Sequence, residues 1–186
     1  ITKSRMGFVG ELIDKIKGLS VADLAIQTTL RNLDIPKSWS SEVKQMVEGF
    51  SEVIPPREYL TRLDLTSLPF ITIDGETAKD FDDAVYAEPF KDGGWRILIA
   101  IADVGHYVTD GSPVDIEARN RGTSVYFPEF VVPMLPEELS NDRCSLVPGE
   151  DRLAIVCEVF LYPGHSESHF QFHQAVIRSK ARTTYH

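Results

Sequence analysis

The 186 residues carry 19 Lys plus Arg against 28 Asp plus Glu, a formal net charge of −9, with 42% apolar side chains. A chain of this size buries roughly 70% of its unfolded surface as one globular domain with room for a small appendage, which excludes a disordered, collagenous or disulfide-scaffolded protein. No apolar run reaches the ~18 residues of a membrane span and the start shows no signal-peptide core, so a cytoplasmic protein without a membrane partner is expected, its Cys144 and Cys157 reduced thiols.

Ser20 with Asp23 three residues later forms a capping arrangement ahead of Leu24, Ala25, Leu30 and Leu33, and Pro36 closes that helix. Val43, Met46, Val47 and Phe50 follow the i, i+3, i+4, i+7 spacing of a second helix, which Pro55-Pro56 ends. Residues 1–60 therefore read as a helical connector.

From Pro69 the pattern turns to strands. Phe70–Ile73 is one; Ala84–Ala87 and Trp95–Ile101 form a hairpin across Lys91-Asp92-Gly93-Gly94. Ile97–Ile101 is almost wholly apolar and is expected to be covered on both faces. Ser112-Pro113-x-Asp115 starts a short helix. Arg152–Tyr162 and Ser168–Ala181 pair across Pro163-Gly164. The fold class expected is α+β, a mixed and largely antiparallel sheet with flanking helices. The start without Met and the stop just after strand-like residues suggest a piece of a longer chain.

Charge is distributed unevenly. Residues 1–60 balance eight basic against eight acidic side chains, whereas 61–186 hold eleven against twenty. Such an excess argues against a sequence-independent nucleic-acid clamp, whose affinity comes from clustered Lys and Arg. It suits a metal site, and four aspartates, Asp74, Asp80, Asp82 and Asp83, lie within ten residues between two strands, with Gly75 supplying a turn. Like charges gathered in one place oppose folding, a penalty that a bound cation removes. With no His or Cys in the segment, oxygen ligands favour a hard ion, Mg²⁺ or Mn²⁺. Asp80-Phe-Asp82-Asp83-Ala breaks the EF-hand alternation, and Ala78-Lys79 ahead of Asp80 excludes the Asp-x-Asp phosphatase motif. Phosphoryl transfer and phosphodiester hydrolysis are the chemistries left; solvated loop acids are the bland alternative.

The segment Ile73-Asp74-Gly-Glu-Thr-Ala-Lys-Asp80-Phe-Asp82-Asp83-Ala-Val resembles the signature of the ribonuclease II and ribonuclease R (RNB) superfamily of 3′→5′ exoribonucleases. The resemblance continues through Ile99-Ala-Ile-Ala-Asp103-Val-Gly-His106-Tyr-Val, Asn120-Arg-Gly-Thr-Ser-Val-Tyr126-Phe-Pro, Pro133-Met-Leu-Pro-Glu-Glu-Leu-Ser-Asn141 and Cys144-Ser-Leu. Val21-Ala-Asp-Leu-Ala and Asp34-Ile-Pro-Lys-Ser-Trp39 are similar to the ribonuclease R branch, where such a connector follows cold-shock domains.

This resemblance implies that 61–186 is the N-terminal part of an RNB catalytic domain, truncated before its later half. It implies single-stranded RNA as partner and substrate, Mg²⁺ (or Mn²⁺) as cofactor, and nucleoside 5′-monophosphates as products. Asp74, Asp80, Asp82 and Asp83 fall on the family's catalytic acids; Asp74, Asp80 and Asp83 would hold the metal, while Asp82 falls on the acid whose loss abolishes cleavage and spares RNA binding. Tyr126 falls on the aromatic that stacks on the terminal base, although such a residue can also be a core aromatic. The family's later half, a further active-site Arg and a basic RNA-binding domain have no counterpart in these residues, so an isolated fragment without activity is foreseen, and a non-catalytic RNA-binding or scaffold remnant is the rival reading.

Other polar residues take structural readings. Asp103 is expected in a turn and His106 satisfied by neighbours. His169, Gln171 and His173 read as surface polar groups, since two His without a third ligand make a poor metal site. Arg119, Arg121 and Arg143 read as surface ion-pair partners.

Overall fold

The computed structural model describes residues 20–128, 130–164 and 169–185, so the connector before Ser20 and the expected strand start at Ser168 lie outside the described residues. Two compact units emerge: one runs through Trp39 and includes Arg121–Met134, the other comprises Ser40–Asn120 with Leu135–His186.

In the first unit α1 (Val21–Asn32) begins with the expected capping box: the Asp23 N–H donates to Ser20 Oγ at 3.1 Å and the Ser20 N–H returns a bond to Asp23 Oδ2 at 2.9 Å. Both orphan donors of the first turn are thus satisfied. Its Leu30 is buried. The guanidinium of Arg121 stacks 3.5 Å over the Trp39 ring and donates to the carbonyls of Ser38 and Pro133, which packs this unit.

The second unit opens with α2 (Ser41–Glu48), capped by Ser40 Oγ, and α3 (Pro56–Thr61), a short helix with proline in its first turn. A seven-stranded sheet follows. Its members are β1 (Leu63–Asp64), β2 (Ile71–Ile73), β3 (Asp83–Pro89), β4 (Trp95–Ala102), β7 (Asp151–Leu161), β8 (His169–Arg178) and β9 (Ala181–Thr183), in the order β1-β8-β7-β4-β3-β2-β9. The remaining strands, β5 (Val125–Phe127) and β6 (Phe130–Val132), form an antiparallel hairpin in the first unit. Neighbours from β8 to β2 run antiparallel; only the outermost pairs, β1 with β8 and β9 with β2, are parallel. This is the α+β, largely antiparallel class expected. Helices α4 (Val104–Tyr107) and α5 (Pro113–Arg121) follow β4, and a five-residue π-type turn, Leu139–Arg143, precedes β7.

The β3–β4 hairpin turns through left-handed Asp92 and Gly93, and a side chain at Gly94 would meet the Leu161 carbonyl at 2.5 Å. Glycine is required there by close backbone approach.

Alternate residues of β4 point to the core. Leu98, Ala100 and Ala102 are buried together with Ala154, Val156 and Val176, whereas Ile99 and Ile101 are 36% and 47% exposed. The expectation that this strand is covered on both faces is therefore corrected: the apolar run reports one buried face and one open apolar face shared with Phe170 and Phe172 of β8. The strand expected over Ser168–Ala181 divides at Ser179-Lys180 into β8 and β9, which sends the chain from one side of the sheet to the other.

Candidate metal-binding carboxylate site

The four aspartates occupy the turn between β2 and β3. Asp74 follows β2, and its N–H donates to the Thr183 carbonyl of β9 at 3.1 Å. Asp83 is the first residue of β3, opposite Ile101, and the Asp82 carbonyl accepts from Ala102 N at 2.8 Å. The parallel β2–β9 pair and the end of β4 therefore fix the two ends of the loop.

Between those ends two side chains from distant sequence grip the backbone. Ser145, fully buried, accepts from Phe81 N at 3.0 Å and donates to the Lys79 carbonyl at 2.8 Å. Arg182 on β9 donates to the carbonyls of Gly75, at 2.8 Å, and Glu76, with its guanidinium 5.1 Å from the Phe81 ring centre. Sequence reasoning missed both: Ser145 lies inside a motif it noted, but its partners are more than sixty residues away.

The acids are coupled through their charges. Burial first, then the charge of Asp83, raises the Asp74 carboxyl above the usual aspartate range; Arg182 opposes this and Asp80 adds to it. Lost hydration, followed by the charges of Asp80, Asp83 and Asp74, raises Asp82 in the same direction. Asp74 Oδ2 is buried without a hydrogen bond of ordinary geometry, and the buried Thr72 hydroxyl beside it partly offsets the rise of its carboxyl. The all-oxygen donor set fits a hard divalent cation. Among the described residues, however, no three His, Cys, Asp or Glu side chains are gathered closely enough to hold a metal as they stand. The four acids share one loop, and the charges of neighbouring acids act on Asp74 and Asp82.

A second polar cluster lies at the C-terminal end of β4. Arg62, with a side chain 5% exposed, donates from Nε to Glu58 Oε2 at 3.1 Å and from Nη2 to Asp103 Oδ2 at 2.8 Å, and His106 Nδ1 stands 3.4 Å from Nη2. Asp103 and His106 are thus satisfied structural residues, as expected, with a buried arginine between them that the sequence reading had not singled out. Burial works against the Glu58 carboxylate, but the Arg62 bond, the nearby His106 and Arg57 outweigh it and hold the group below the usual glutamate range. Both cysteines are free thiols; burial, then the charges of Asp82 and Asp103, pushes Cys144 up to about 12.

Tyr126 belongs to the first unit, on β5, where it is 69% exposed among the described residues. Arg119 pairs with Asp110 and Asp115 at the surface, as anticipated; His173, whose Nε2 stands 2.9 Å from Glu158 Oε2, and Arg143, which pairs with Asp142, are instead largely buried.

Comparison with known proteins identifies the family. The RNB domain model matches residues 62–186. Ribonuclease R of Escherichia coli (strain K12) is 48% identical over 177 residues, covering 95% of this chain and 22% of the relative. Among solved structures, Mycoplasma genitalium RNase R in complex with ribose-methylated single-stranded RNA aligns with a TM-score of 0.79 at 38% identity, over 87% of this chain and 25% of that one. An active-site mutant of the Dss1 exoribonuclease from Candida glabrata aligns with a TM-score of 0.70 at 25% identity, over 95% of this chain and 24% of that one. The chain belongs to the RNB domain family. It spans about a quarter or less of the length of these relatives. Among the described residues, no helix is long and apolar enough to cross a membrane.

Proposed function

We propose that this chain supplies the carboxylate-bearing part of a Mg²⁺-dependent 3′→5′ exoribonuclease that hydrolyses single-stranded RNA to nucleoside 5′-monophosphates in the cytoplasm, with Mn²⁺ able to substitute. The observation that carries the proposal is the acid loop itself: four aspartates within ten residues, of which Asp74 and Asp82 have carboxyls raised by burial and by the charges of neighbouring acids, on a chain of the RNB family. That a bacterial RNase R of similar fold has been captured with single-stranded RNA supports the substrate class.

In this reading Asp74, Asp80 and Asp83 hold the ion. A divalent cation supplies, when bound, Lewis-acid charge against the negative charge that develops on a scissile phosphate. Asp82, at the exposed side of the loop and tied through its carbonyl to β4, orients the attacking water. Tyr126, exposed on its hairpin, offers a ring on which any base can stack.

The test uses 5′-labelled single-stranded RNA with Mg²⁺ or Mn²⁺, with products resolved at single-nucleotide length. Stepwise shortening from the 3′ end is expected of the whole enzyme to which this chain contributes, absent in EDTA and in Asp82→Asn, while Asp82→Asn keeps its RNA affinity. Comparable loss of cleavage and affinity in that variant contradicts the assignment. A non-catalytic RNA-binding remnant would retain affinity in EDTA and give no metal-dependent product.

A further inference from the structure

We infer that Ser145 is a positioning residue for the acid loop: its hydroxyl fixes the backbone on both sides of Asp80 and so sets where the carboxylates of Asp80 and Asp82 stand. The inference rests on the metal-site reading proposed above.

The geometry is a clasp. A serine hydroxyl has one proton to donate and two lone pairs; Ser145 gives its proton to the Lys79 carbonyl at 2.8 Å and takes the Phe81 N–H at 3.0 Å. Leu146 N adds a bond to the Phe81 carbonyl at 2.9 Å, and Ala102 N holds the Asp82 carbonyl at 2.8 Å. Lys79, Phe81 and Asp82 are thus pinned through their main chain on both sides of Asp80, while the carboxylates of Asp80 and Asp82 stay clear of the pinning bonds. This matters because like charges drive the loop apart. A backbone held from below keeps the acids near one another without occupying the oxygens that a cation needs.

The clasp is itself anchored. Arg152 on β7 donates from Nε to the Ser145 carbonyl at 2.9 Å and to the Asp142 carbonyl at 3.1 Å, and from Nη2 to Asp142 Oδ1 at 3.2 Å. The π-type turn Leu139–Arg143 immediately precedes the Cys144-Ser145-Leu146 step; such irregular turns recur where a side chain must be re-aimed. Ser145 and Leu146 show no solvent exposure, so the bonds are made where water cannot replace them.

The experiment measures Mn²⁺ binding by electron paramagnetic resonance and amide hydrogen exchange on the unaltered chain, Ser145→Ala, Ser145→Cys and Val176→Ala. Val176, buried in β8 opposite Leu153, is the control for a general loss of stability. Removal of an outer-shell partner typically weakens metal binding by about 10–100-fold. Ser145→Ala is accordingly expected to weaken Mn²⁺ binding at least tenfold and to speed exchange at 79–83 relative to 95–102, while Val176→Ala changes neither the affinity nor that ratio. Ser145→Cys, with a weak donor, is expected to fall between, and carries the comparison if Ser145→Ala does not fold. Wild-type Mn²⁺ affinity in the folded Ser145 variants overturns the inference and leaves the metal site standing. Failure of the unaltered chain to bind Mn²⁺ overturns the metal-site reading, and the role assigned to Ser145 with it.

Discussion

Replacing Arg62 by methionine tests whether the polar cluster beneath β4 is held by charge. The guanidinium sits between Glu58 and Asp103, each with a side chain only 11% exposed, and donates to both. Methionine retains most of the apolar stem, so the loss in Arg62→Met is chiefly electrostatic: two carboxylates are left largely out of water without their shared cation. Breaking a buried pair by removing one partner costs about 3–5 kcal/mol. At about 2–4 °C per kcal/mol for a chain of this size, the midpoint of thermal unfolding should fall by roughly 6–20 °C.

The pH dependence follows from the direction of the Glu58 shift. Burial opposes ionisation of Glu58, yet Arg62, His106 and Arg57 together hold its carboxyl below the usual value. A carboxyl depressed in the folded state contributes stability above its unfolded pKa and loses it as pH falls through the folded one. The difference between the unaltered chain and Arg62→Met should therefore be full at pH 7 and shrink on acidification below about pH 4, where Glu58 takes up a proton in either protein. Urea unfolding at several pH values measures this difference. A loss below about 1 kcal/mol at pH 7, the range of an exposed pair, or a loss that grows on acidification refutes the reasoning.

Two titration experiments probe other parts of the second unit. Burial, then the charges of Asp82 and Asp103, pushes the Cys144 thiol up to about 12, whereas Cys157 is only half-buried; iodoacetamide at pH 8 should label Cys157 and spare Cys144 until urea is added, and equal labelling of the native chain contradicts the burial argument. Burial, then the 2.6 Å bond to Asp151 and that residue's charge, pushes the Tyr59 phenol up to about 12. Tyr59→Phe should leave the ultraviolet phenolate signal gained up to pH 11 unchanged, and a smaller signal in the variant shows that Tyr59 ionises normally.

What could be read in the sequence were features written locally. The Ser20–Asp23 capping box, the hairpin turn at Lys91–Gly94 and the strand at Trp95–Ile101 each depend on residues a few positions apart, and each appears in the structure. The acid loop was equally visible, because its four aspartates fall within ten residues. What could not be read were arrangements created by the return of the chain. β1 pairs in parallel with β8 across more than a hundred residues, and β9 does the same beside β2; neither two- or three-residue strand has a periodicity of its own. Ser145 and Arg182 were missed for the same reason, since their partners are set by the sheet order, and so was the Arg62–Asp103 half of the second cluster. The open face of β4 shows the converse error. An unbroken apolar run was taken for burial on both sides, although composition alone cannot tell which neighbours cover it.

The central claim is that the loop between β2 and β3 holds a divalent cation through Asp74, Asp80 and Asp83. Calorimetric titration of the chain with Mg²⁺ and with Mn²⁺, beside Asp80→Asn, tests it without reference to RNA. The account predicts one site in the unaltered chain, weakened at least tenfold in Asp80→Asn; an ion at about 100 times its dissociation constant should add about 2.7 kcal/mol to stability, visible as a rise in the unfolding midpoint. Equal affinity in the two proteins, or no heat and no stabilisation from either ion, would contradict it.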